Sequence, residues 1–284
     1  MAHTRTQEMR VLSLFLLALL FSSGTATGAQ EEEPVEYDYE VVAAYPHDAD
    51  AFTQGLECAA PGCAVLLEST GQYGRSSVRR VATATGAVLA ATPLPADLFG
   101  EGLAQHAGAL YQTTWRERVL SRYDARTLRL VARAPYTVAA EGWGLTHDGA
   151  GHLVASDGSS TLHVFAVGPP PALAQRVVRR VPVRLRGRAL PRLNELEHAR
   201  GRVWANVWFA DTLVAIDPAT GTVVGTADLA GLRARPDCGA PPRDVLNGIA
   251  YDAAADEFLV TGKNWPVLYR IRLHPRPRPG NSEL

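Results

Sequence analysis

A short pattern repeats five times along this 284-residue chain and constrains its fold more than any other feature. Each copy has a polar residue or tryptophan, then a small or acidic residue, then an aliphatic residue, and each opens a predicted strand. The copies are Gln54-Gly55-Leu56, Glu101-Gly102-Leu103, Trp143-Gly144-Leu145, Asn194-Glu195-Leu196 and Asn247-Gly248-Ile249. They recur at intervals of roughly 40 to 50 residues, a period typical of stacked or radial repeat proteins.

Three further strand-like segments follow the strand that opens at each of the first four copies. In the fourth repeat they are residues 202–207, 212–217 and 222–227, with a Pro-Ala-Thr-Gly turn at 218–221. Each repeat thus has four short strands, which is the content of a β-propeller blade. The sequence therefore predicts an all-β fold, a five-bladed β-propeller built from four-stranded antiparallel blades.

The fifth repeat lacks its last strand. Its strands at 257–261 and 267–273 are followed by a His-Pro-Arg-Pro-Arg-Pro segment, which cannot continue a central strand. One extra strand, at 39–45, precedes the first repeat, and pairing it with the last one removes both exposed sheet edges. We predict that this N-terminal strand completes the last blade.

The first 29 residues have the composition of a secretory signal peptide. Arg5 and Arg10 precede an apolar run at 11–21, and small residues follow it up to Ala29. The run is too short to span a bilayer, so a cleaved signal is favoured over the alternative of a membrane anchor. We predict a secreted or periplasmic monomer that has no membrane association after signal cleavage.

The rest of the chain suits one large domain. We predict a signal peptide at 1–29, an acidic leader at 30–38, a propeller domain at 39–273 and a Pro-rich tail at 274–284. A formal net charge of −1 argues against a nucleic-acid-binding protein. The arginine-rich segment 176–192 alternates apolar and charged residues like an outer strand with a solvated face, and it lacks aromatic residues for base stacking.

Three cysteines are present in a chain that is predicted to be exported. Cys58 and Cys63 flank a Pro-Gly turn between two strand-like segments, and we expect a disulfide to close this small loop, with two free thiols as the alternative. Cys238 is left over in a loop, either free or cross-linked. Its spacing to the other two supports no metal site.

The predicted topology brings eight polar and aromatic side chains to one face of the disc. Neighbouring strands are antiparallel, so the start of each first strand and the end of each second strand open on the same side. The side chains are Phe52, Gln54, Glu101, Trp143 and Asn194 from strand starts, and Trp115, Trp208 and Lys263 from strand ends. Aromatic walls with a carboxylate suit a small amine, and carboxamides suit recognition of another amide.

Each of these residues also has a structural interpretation. Glu101 and Lys263 are candidates for solvated surface charges, the carboxamides for partners of backbone groups, and the tryptophans for packing between blades. The convergence of all eight on one face weakens these interpretations together. The sequence has no Ser/His/Asp grouping or convergent metal set, which argues against ordinary hydrolysis. His47 with Asp48 and Asp50 is the nearest approach to a ligand cluster.

Seven motifs between residues 39 and 273 resemble one known family. They are Phe52-Thr-Gln-Gly-Leu56, Phe99-Gly-Glu-Gly-Leu103, Glu141-Gly-Trp-Gly-Leu145, Leu193-Asn-Glu-Leu-Glu197, Trp204-Ala-Asn-Val-Trp208, Leu246-Asn-Gly-Ile-Ala250 and Thr261-Gly-Lys-Asn-Trp-Pro266. The chain resembles the plant and bacterial type of glutaminyl-peptide cyclotransferase. That resemblance implies a five-bladed propeller, unrelated to the zinc-dependent animal enzyme, that converts N-terminal glutamine to pyroglutamate and releases ammonia.

The resemblance also implies roles for the converging residues. Glu101 would anchor the α-amine of the substrate and act as general base. Lys263, Asn194 and Gln54 would lie around the γ-carboxamide and the developing oxyanion. The pocket wall would consist of Phe52, Trp115, Trp143 and Trp208. No cofactor is required; some family members hold a calcium ion in the central channel, and no residue pattern here predicts one.

We therefore expect an enzyme, a metal-independent glutaminyl-peptide cyclotransferase acting on peptides or proteins with N-terminal glutamine. Two alternatives remain at this point. One is a secreted propeller that binds a ligand without turnover. The other is a lactonase-like propeller hydrolase, although that chemistry usually needs a metal held by several acidic and Asn residues.

Overall fold

A computed structural model describes residues 33–277. The predicted signal peptide lies outside this range, as do residues 30–32 and 278–284. Within the described range, no helix is long and apolar enough to cross a membrane. The structure is almost entirely β-strand, as the repeat pattern predicted, with a single short helix among the described elements.

The first half of the described chain forms three four-stranded antiparallel sheets whose strands pair in sequence order. A separate first strand, β1 (Val35–Pro46), precedes them. The first sheet is β2 (Thr53–Cys58), β3 (Val65–Thr70), β4 (Ser77–Ala82) and β5 (Val88–Pro93). The second is β6 (Gly100–His106), β7 (Ala109–Thr114), β8 (Val119–Tyr123) and β9 (Leu130–Pro135). The third is β10 (Leu145–His147), β11 (Leu153–Ala155), β12 (Thr161–Val167) and β13 (Gln175–Pro182).

The second half forms an eight-stranded sheet, after a small hairpin of β14 (Arg184–Leu185) and β15 (Arg188–Ala189). Its first four strands are β16 (Leu193–Ala199), β17 (Arg202–Val207), β18 (Thr212–Ile216) and β19 (Val223–Asp228). After helix α1 (Ala230–Arg233) come β20 (Leu246–Asp252), β21 (Glu257–Gly262) and β22 (Val267–Pro275). The strand order is β16-β17-β18-β19-β1-β22-β21-β20.

The N-terminal strand completes the last four-stranded group, and this prediction is confirmed. β1 pairs antiparallel with β22 along nearly its whole length. It pairs with β19 only over three residues and in parallel. The eight-stranded sheet is therefore two antiparallel groups of four, β16 to β19 and β20 to β22 with β1, that touch along one short parallel edge.

Both strands of this pair are longer than predicted: β1 starts earlier and β22 ends later. β1 begins at Val35, four residues before the predicted start, because the alternation of acidic and apolar residues already begins there. Exposed Glu36 and Asp38 bind Arg276 at 2.7 and 2.6 Å. β22 continues past Leu273 to Pro275, since a proline at the last position of a strand removes no internal ladder bond.

The first strands of the five groups, called the inner strands below, contact one another in a cycle: β2 with β6, β6 with β10, β10 with β16, β16 with β20, and β20 with β2. The small residue of the repeat pattern allows this close approach. A Cβ atom added at Gly102 would lie 2.3 Å from the backbone nitrogen of Leu145, and one added at Gly144 would lie 2.0 Å from the backbone oxygen of Asn194.

Apolar clusters fill the five interfaces between neighbouring groups. The cluster between the first and second sheets contains Leu67 and Leu110, for example, and the one between the last group and the first sheet contains Leu268 and Leu66. The other three clusters join the second to the third sheet, the third to the fourth group, and the fourth to the fifth. Burial of this apolar surface is the main force that holds the groups together.

The remaining structural predictions concern the cysteines and the arginine-rich strand. Cys58 and Cys63 form a disulfide, as predicted, and Cys238 is a buried free thiol. Val181 and Val183 are buried, whereas Pro182 between them and the flanking Arg180 and Arg184 are exposed. The solvated-face interpretation of this segment is therefore confirmed.

Candidate active site

One cavity of about 240 Å³ is lined by nine residues that are far apart in sequence. They are Phe52, Gln54, Phe99, Glu101, Trp115, Trp143, Asn194, Trp208 and Lys263. All eight residues that the topology argument assembled are among them. They converge because neighbouring strands within each sheet are antiparallel, so the start of a first strand and the end of a second strand lie on the same side. Gln54 lies near the start of β2, whereas Trp208 and Lys263 follow the ends of β17 and β21.

Phe99 is the lining residue that the sequence analysis did not select. It precedes Glu101 by two residues, just as Phe52 precedes Gln54 in the first repeat. That shared offset was a usable signal, because the same strand geometry places both rings over the same face. The centroids of the two rings are 6.0 Å apart in an edge-to-face arrangement.

Glu101 is the buried acid of the cavity. Its side chain is 4% exposed, and Oε1 accepts a hydrogen bond from Gln54 Nε2 at 2.8 Å. Burial raises the pKa of Glu101 well above its ordinary value; attraction to Lys263 lowers that pKa, and repulsion from Glu141 and Glu117 raises it further. The carboxylate is therefore an unusually strong base for a glutamate.

Asn247 holds the side chain of Gln54 in place by hydrogen bonds. The amide nitrogen of Asn247 donates to Gln54 Oε1 at 3.1 Å and to the backbone oxygen of Thr53 at 3.0 Å. Because Gln54 Oε1 is occupied in this way, its amide nitrogen must point towards Glu101. The chain Asn247, Gln54, Glu101 thus crosses from the last group of strands to the first and second sheets.

Lys263 faces the cavity from the turn after β21. The residue is 6% exposed, and Nζ lies 4.8 Å from the centroid of the Phe52 ring, a cation–π distance. Burial lowers the pKa of Lys263 to about 8, and attraction to Glu101 opposes that shift. The turn is fixed by backbone bonds from Lys263 to Val245 at 2.9 Å and from Asn264 to Ala51 at 2.7 Å.

Asn194 brings an unused acceptor to the cavity. Its side-chain oxygen is buried and has no hydrogen-bond partner among the described residues, although Asn194 lines the cavity. The backbone oxygen of Asn194 is occupied by the hydroxyl of Ser156 at 2.6 Å. Since an unpaired buried acceptor is costly in a folded protein, this oxygen is suited to a donor on a bound ligand.

Aromatic rings form the cavity wall in the order of the sheets. The ring centroids of Phe99 and Trp115 are 5.6 Å apart, and those of Trp143 and Trp208 are 5.3 Å apart, both edge to face. With Phe52 on the far side of Phe99, the rings make an arc that begins in the first sheet and ends in the fourth group. Lys263 lies next to Phe52 on the side where the arc is open.

Glu141 connects the two halves of this arc, and the sequence analysis did not assign it a role. Its Oε2 accepts the indole N–H groups of Trp115 at 2.7 Å and Trp143 at 3.0 Å. Its other oxygen binds Arg116 at 3.2 Å, and that guanidinium stacks 3.9 Å above the Trp115 ring. Glu141 stands two residues before Trp143, which opens the pattern of the third repeat; the equivalent residues of the first two repeats are Phe52 and Phe99.

The weak cluster around His47 has a structural explanation. His47 donates from Nε2 to Glu68 Oε1 at 3.1 Å and from Nδ1 to the backbone oxygen of Trp265 at 2.7 Å. Asp48 binds Arg79 at 2.6 Å, and Arg79 in turn binds Glu68. These side chains make a buried ion network that ties the end of β1 to the first sheet and to the turn after Lys263.

Residues 33–277 contain no group of three or more His, Cys, Asp or Glu side chains that could hold a metal ion. The cavity combines one basic carboxylate, one buried ammonium group, carboxamides and aromatic walls. Such a set can hold a small amine beside an amide and transfer a proton between them.

Comparison with known proteins agrees with this geometry. The family model described as glutamine cyclotransferase matches residues 14–273. A glutaminyl-peptide cyclotransferase from Arabidopsis thaliana is 40% identical over 264 residues, which cover 92% of this chain and 80% of the relative. The crystal structure of Myxococcus xanthus glutaminyl cyclase matches with a TM-score of 0.76 and 35% identity, covering 86% of this chain and 100% of that chain.

Proposed function

The chain belongs to the glutamine cyclotransferase family, and on that premise we propose that it converts the N-terminal glutamine of peptides and proteins to pyroglutamate with release of ammonia. The observation that carries this proposal is that Glu101 and Lys263 line one aromatic cavity. We also propose that the five groups of strands are the blades of a five-bladed propeller. The cyclic contacts of the inner strands and the five apolar interfaces support that architecture.

Binding begins with the α-amine of the substrate. An ammonium group that enters the cavity meets the carboxylate of Glu101 and the faces of aromatic rings, both of which favour a cation. The carboxylates of Glu141 and Glu117, which repel the charge on Glu101, also attract an incoming cation. The side chain of the glutamine then lies towards Lys263 and Asn194. The unpaired side-chain oxygen of Asn194 can accept an N–H of the γ-carboxamide.

The reaction joins two atoms of the same molecule. Glu101 first takes a proton from the α-ammonium group, and the neutral amine nitrogen then attacks the γ-carboxamide carbon. The attacking nitrogen releases its second proton to water as the new N–C bond becomes the lactam amide. Because both reacting atoms belong to one residue, the enzyme mainly has to hold a folded conformer. The α-amine has a pKa of roughly 7.7 to 8, so the raised pKa of Glu101 makes the proton transfer less unfavourable.

The tetrahedral adduct then breaks its bond to the carboxamide nitrogen. The negative oxygen of the adduct is stabilised by Lys263 as a nearby positive charge. The leaving nitrogen needs a proton before it departs as ammonia. Two donors remain open: Glu101 can return the proton that it took, or Lys263 can supply one, since its lowered pKa of about 8 makes it a better acid than an ordinary lysine.

Ammonia release from a Gln-initiated dipeptide tests the proposed function directly. A cyclotransferase releases one ammonia for each pyroglutamyl product. A propeller that only binds its ligand releases none, and a lactonase-like hydrolase acts on lactones instead. Absence of ammonia from Gln-initiated peptides of different sequence would refute the proposal.

We propose that this turnover requires no metal ion. Every proton transfer in the proposed reaction involves Glu101, Lys263 or water, and no step needs a Lewis acid. Treatment with a chelator is expected to leave kcat unchanged, and any effect should appear only as a lower Tm. Rapid loss of activity that zinc restores would contradict this mechanism.

We further propose that the protein acts outside the cytoplasm as a monomer, without nucleic acid. The Cys58–Cys63 disulfide supports an oxidising compartment. Fractionation with N-terminal sequencing of the mature protein, and its mass in solution, test these points. A reduced, uncleaved chain in the cytoplasm would contradict the proposed location.

A further inference from the structure

Phe209, in the turn after β17, combines two features that folding disfavours. Its side chain is 61% exposed, and its backbone φ is +62°. Large apolar side chains are usually buried, and a bulky residue with positive φ is an outlier. Nothing in the fold requires a phenylalanine at this exposed position, so the residue points to a function outside the core.

The equivalent turn in the last group of strands satisfies the same backbone geometry without this cost. There Lys263 and Asn264 follow β21 as Trp208 and Phe209 follow β17, and Asn264 has a φ of +57°. Asparagine adopts this conformation more readily than other non-glycine residues. The turn after β17 therefore needs a positive φ but does not need a phenylalanine.

Phe209 packs against Trp208 of the cavity wall and is not itself among the lining residues. Its ring centroid lies 4.4 Å from that of Trp208, which lines the cavity, with 36° between the planes. The other exposed aromatic ring near the cavity, Tyr73, differs because its hydroxyl donates to Glu117 at 2.6 Å. Phe209 has no polar atom in its side chain, so its exposed ring offers an apolar surface and nothing else.

The size of the cavity indicates what reaches this surface. At about 240 Å³ it is smaller than the roughly 300 to 1,000 Å³ of sites that hold drug-sized ligands. It therefore takes one residue, the glutamine, and the rest of the peptide leaves over the rim. The side chain of the next residue is the first group that can contact Phe209.

We propose that Phe209 forms a subsite for an apolar or aromatic side chain directly after the N-terminal glutamine. This inference rests on the proposed cyclotransferase function and adds a substrate preference to it. Aromatic pairs contribute more than their buried area alone. Substrates with phenylalanine or leucine at the second position are therefore preferred over those with glycine.

The test compares kcat/KM for Gln-Phe-amide and Gln-Gly-amide in the wild type and in Phe209→Asn. Asn copies the equivalent turn of the last group, so the variant should fold with an unchanged or higher Tm. We expect the wild type to prefer Gln-Phe-amide, and the variant to lose about threefold to tenfold of that preference. Phe209→Tyr, which keeps the aromatic ring, should retain the preference.

Leu89→Asn provides a matched control, because Leu89 is also an exposed apolar side chain, at 57%, but lies on the last strand of the first sheet. It should leave the preference unchanged. An identical preference in the wild type and in Phe209→Asn would overturn the subsite while leaving the cyclotransferase intact. A wild type that releases ammonia from neither dipeptide would instead remove the proposed function, and the subsite with it.

Discussion

Two buried glutamates, Glu101 in the cavity and Glu195 between the inner strands, have similar surroundings but different partners. Both are almost fully buried, and burial raises the pKa of each well above its ordinary value. The two oxygens of Glu195 accept backbone N–H groups, from Leu56 at 3.1 Å and from Ile249 at 2.9 Å. Glu101 accepts one side-chain donor, Gln54, and otherwise faces the cavity.

The comparison shows that burial and a shifted pKa do not by themselves identify a catalytic acid. Glu195 occupies a position where the other four repeats have glycine. It binds both β2 and β20, the inner strands of the first sheet and of the last group. Its hydrogen-bonding capacity is used by the backbone, so it holds the ring together. Glu101 keeps capacity for a ligand and has a cation, Lys263, as a neighbour in the cavity, whereas Glu195 has another acid, Glu57, nearby.

Replacing Glu101 with glutamine should have the largest effect. The variant loses the base and the anchor of the α-amine but keeps the shape and the bond to Gln54. We expect kcat/KM for a Gln-initiated dipeptide to fall by about a hundredfold or more, with little change in Tm. Turnover near the wild-type value would exclude Glu101 from the mechanism and erase its difference from Glu195.

Lys263→Met should lower kcat by about tenfold or more, because the charge that stabilises the adduct is lost. Burial lowers the pKa of Lys263 to about 8, so the lysine is cationic below that pH and neutral above it. Both proposed roles of Lys263, stabilising the adduct and donating a proton, need the cation, so the wild-type kcat should fall as pH rises through about 8 and the variant should lack this limb. A limb that persists in Lys263→Met would assign it to a group other than Lys263.

Glu195→Gln should mainly affect stability. In the glutamine variant, the side-chain NH2 group replaces one carboxylate oxygen and faces the backbone N–H of either Leu56 or Ile249. Two donors then face each other, so neither this NH2 group nor that backbone N–H has an acceptor. Such a loss costs about 1 to 3 kcal/mol, measurable as a lower midpoint in urea unfolding. The folded variant should keep kcat within a few-fold of the wild type. A variant that is fully stable but inactive would reverse the roles of the two glutamates.

The smallest expected effect concerns the pH dependence of stability. Glu57, near Glu195 and Glu197, accepts the backbone N–H of Gln105, and burial raises the pKa of Glu57 to about 7. The folded protein therefore binds a proton more tightly than the unfolded chain, whose Glu pKa is near 4.5. Stability from this group is present below about pH 4.5 and is lost as pH rises towards 7. Tm should decline over this range, and Glu57→Gln should flatten the decline; an equally steep decline in that variant would assign it to other groups.

Much of the fold was predictable because it depends on local periodicity. Alternating strands, turn residues and the repeated three-residue pattern predicted four strands per repeat. The strand missing from the fifth repeat and the spare strand before the first predicted the pairing of β1 with β22. The boundaries were less predictable. The first residues of β1, Val35 to Tyr37, pair with β19, and the residues from Tyr37 onward pair with β22, so parts of the chain far away in sequence decide where β1 starts.

The sequence by itself determined the repeat, the order of the strands, the Cys58–Cys63 loop and the face on which Glu101, Lys263 and the tryptophans meet, because these follow from spacing and from antiparallel geometry. Tertiary structure alone decided how those side chains are held. Asn247 orients Gln54, Glu141 binds two tryptophans, and Glu195 is saturated by backbone while Glu101 is not. These contacts mostly join residues from different repeats, and side-chain packing in three dimensions selects such pairs.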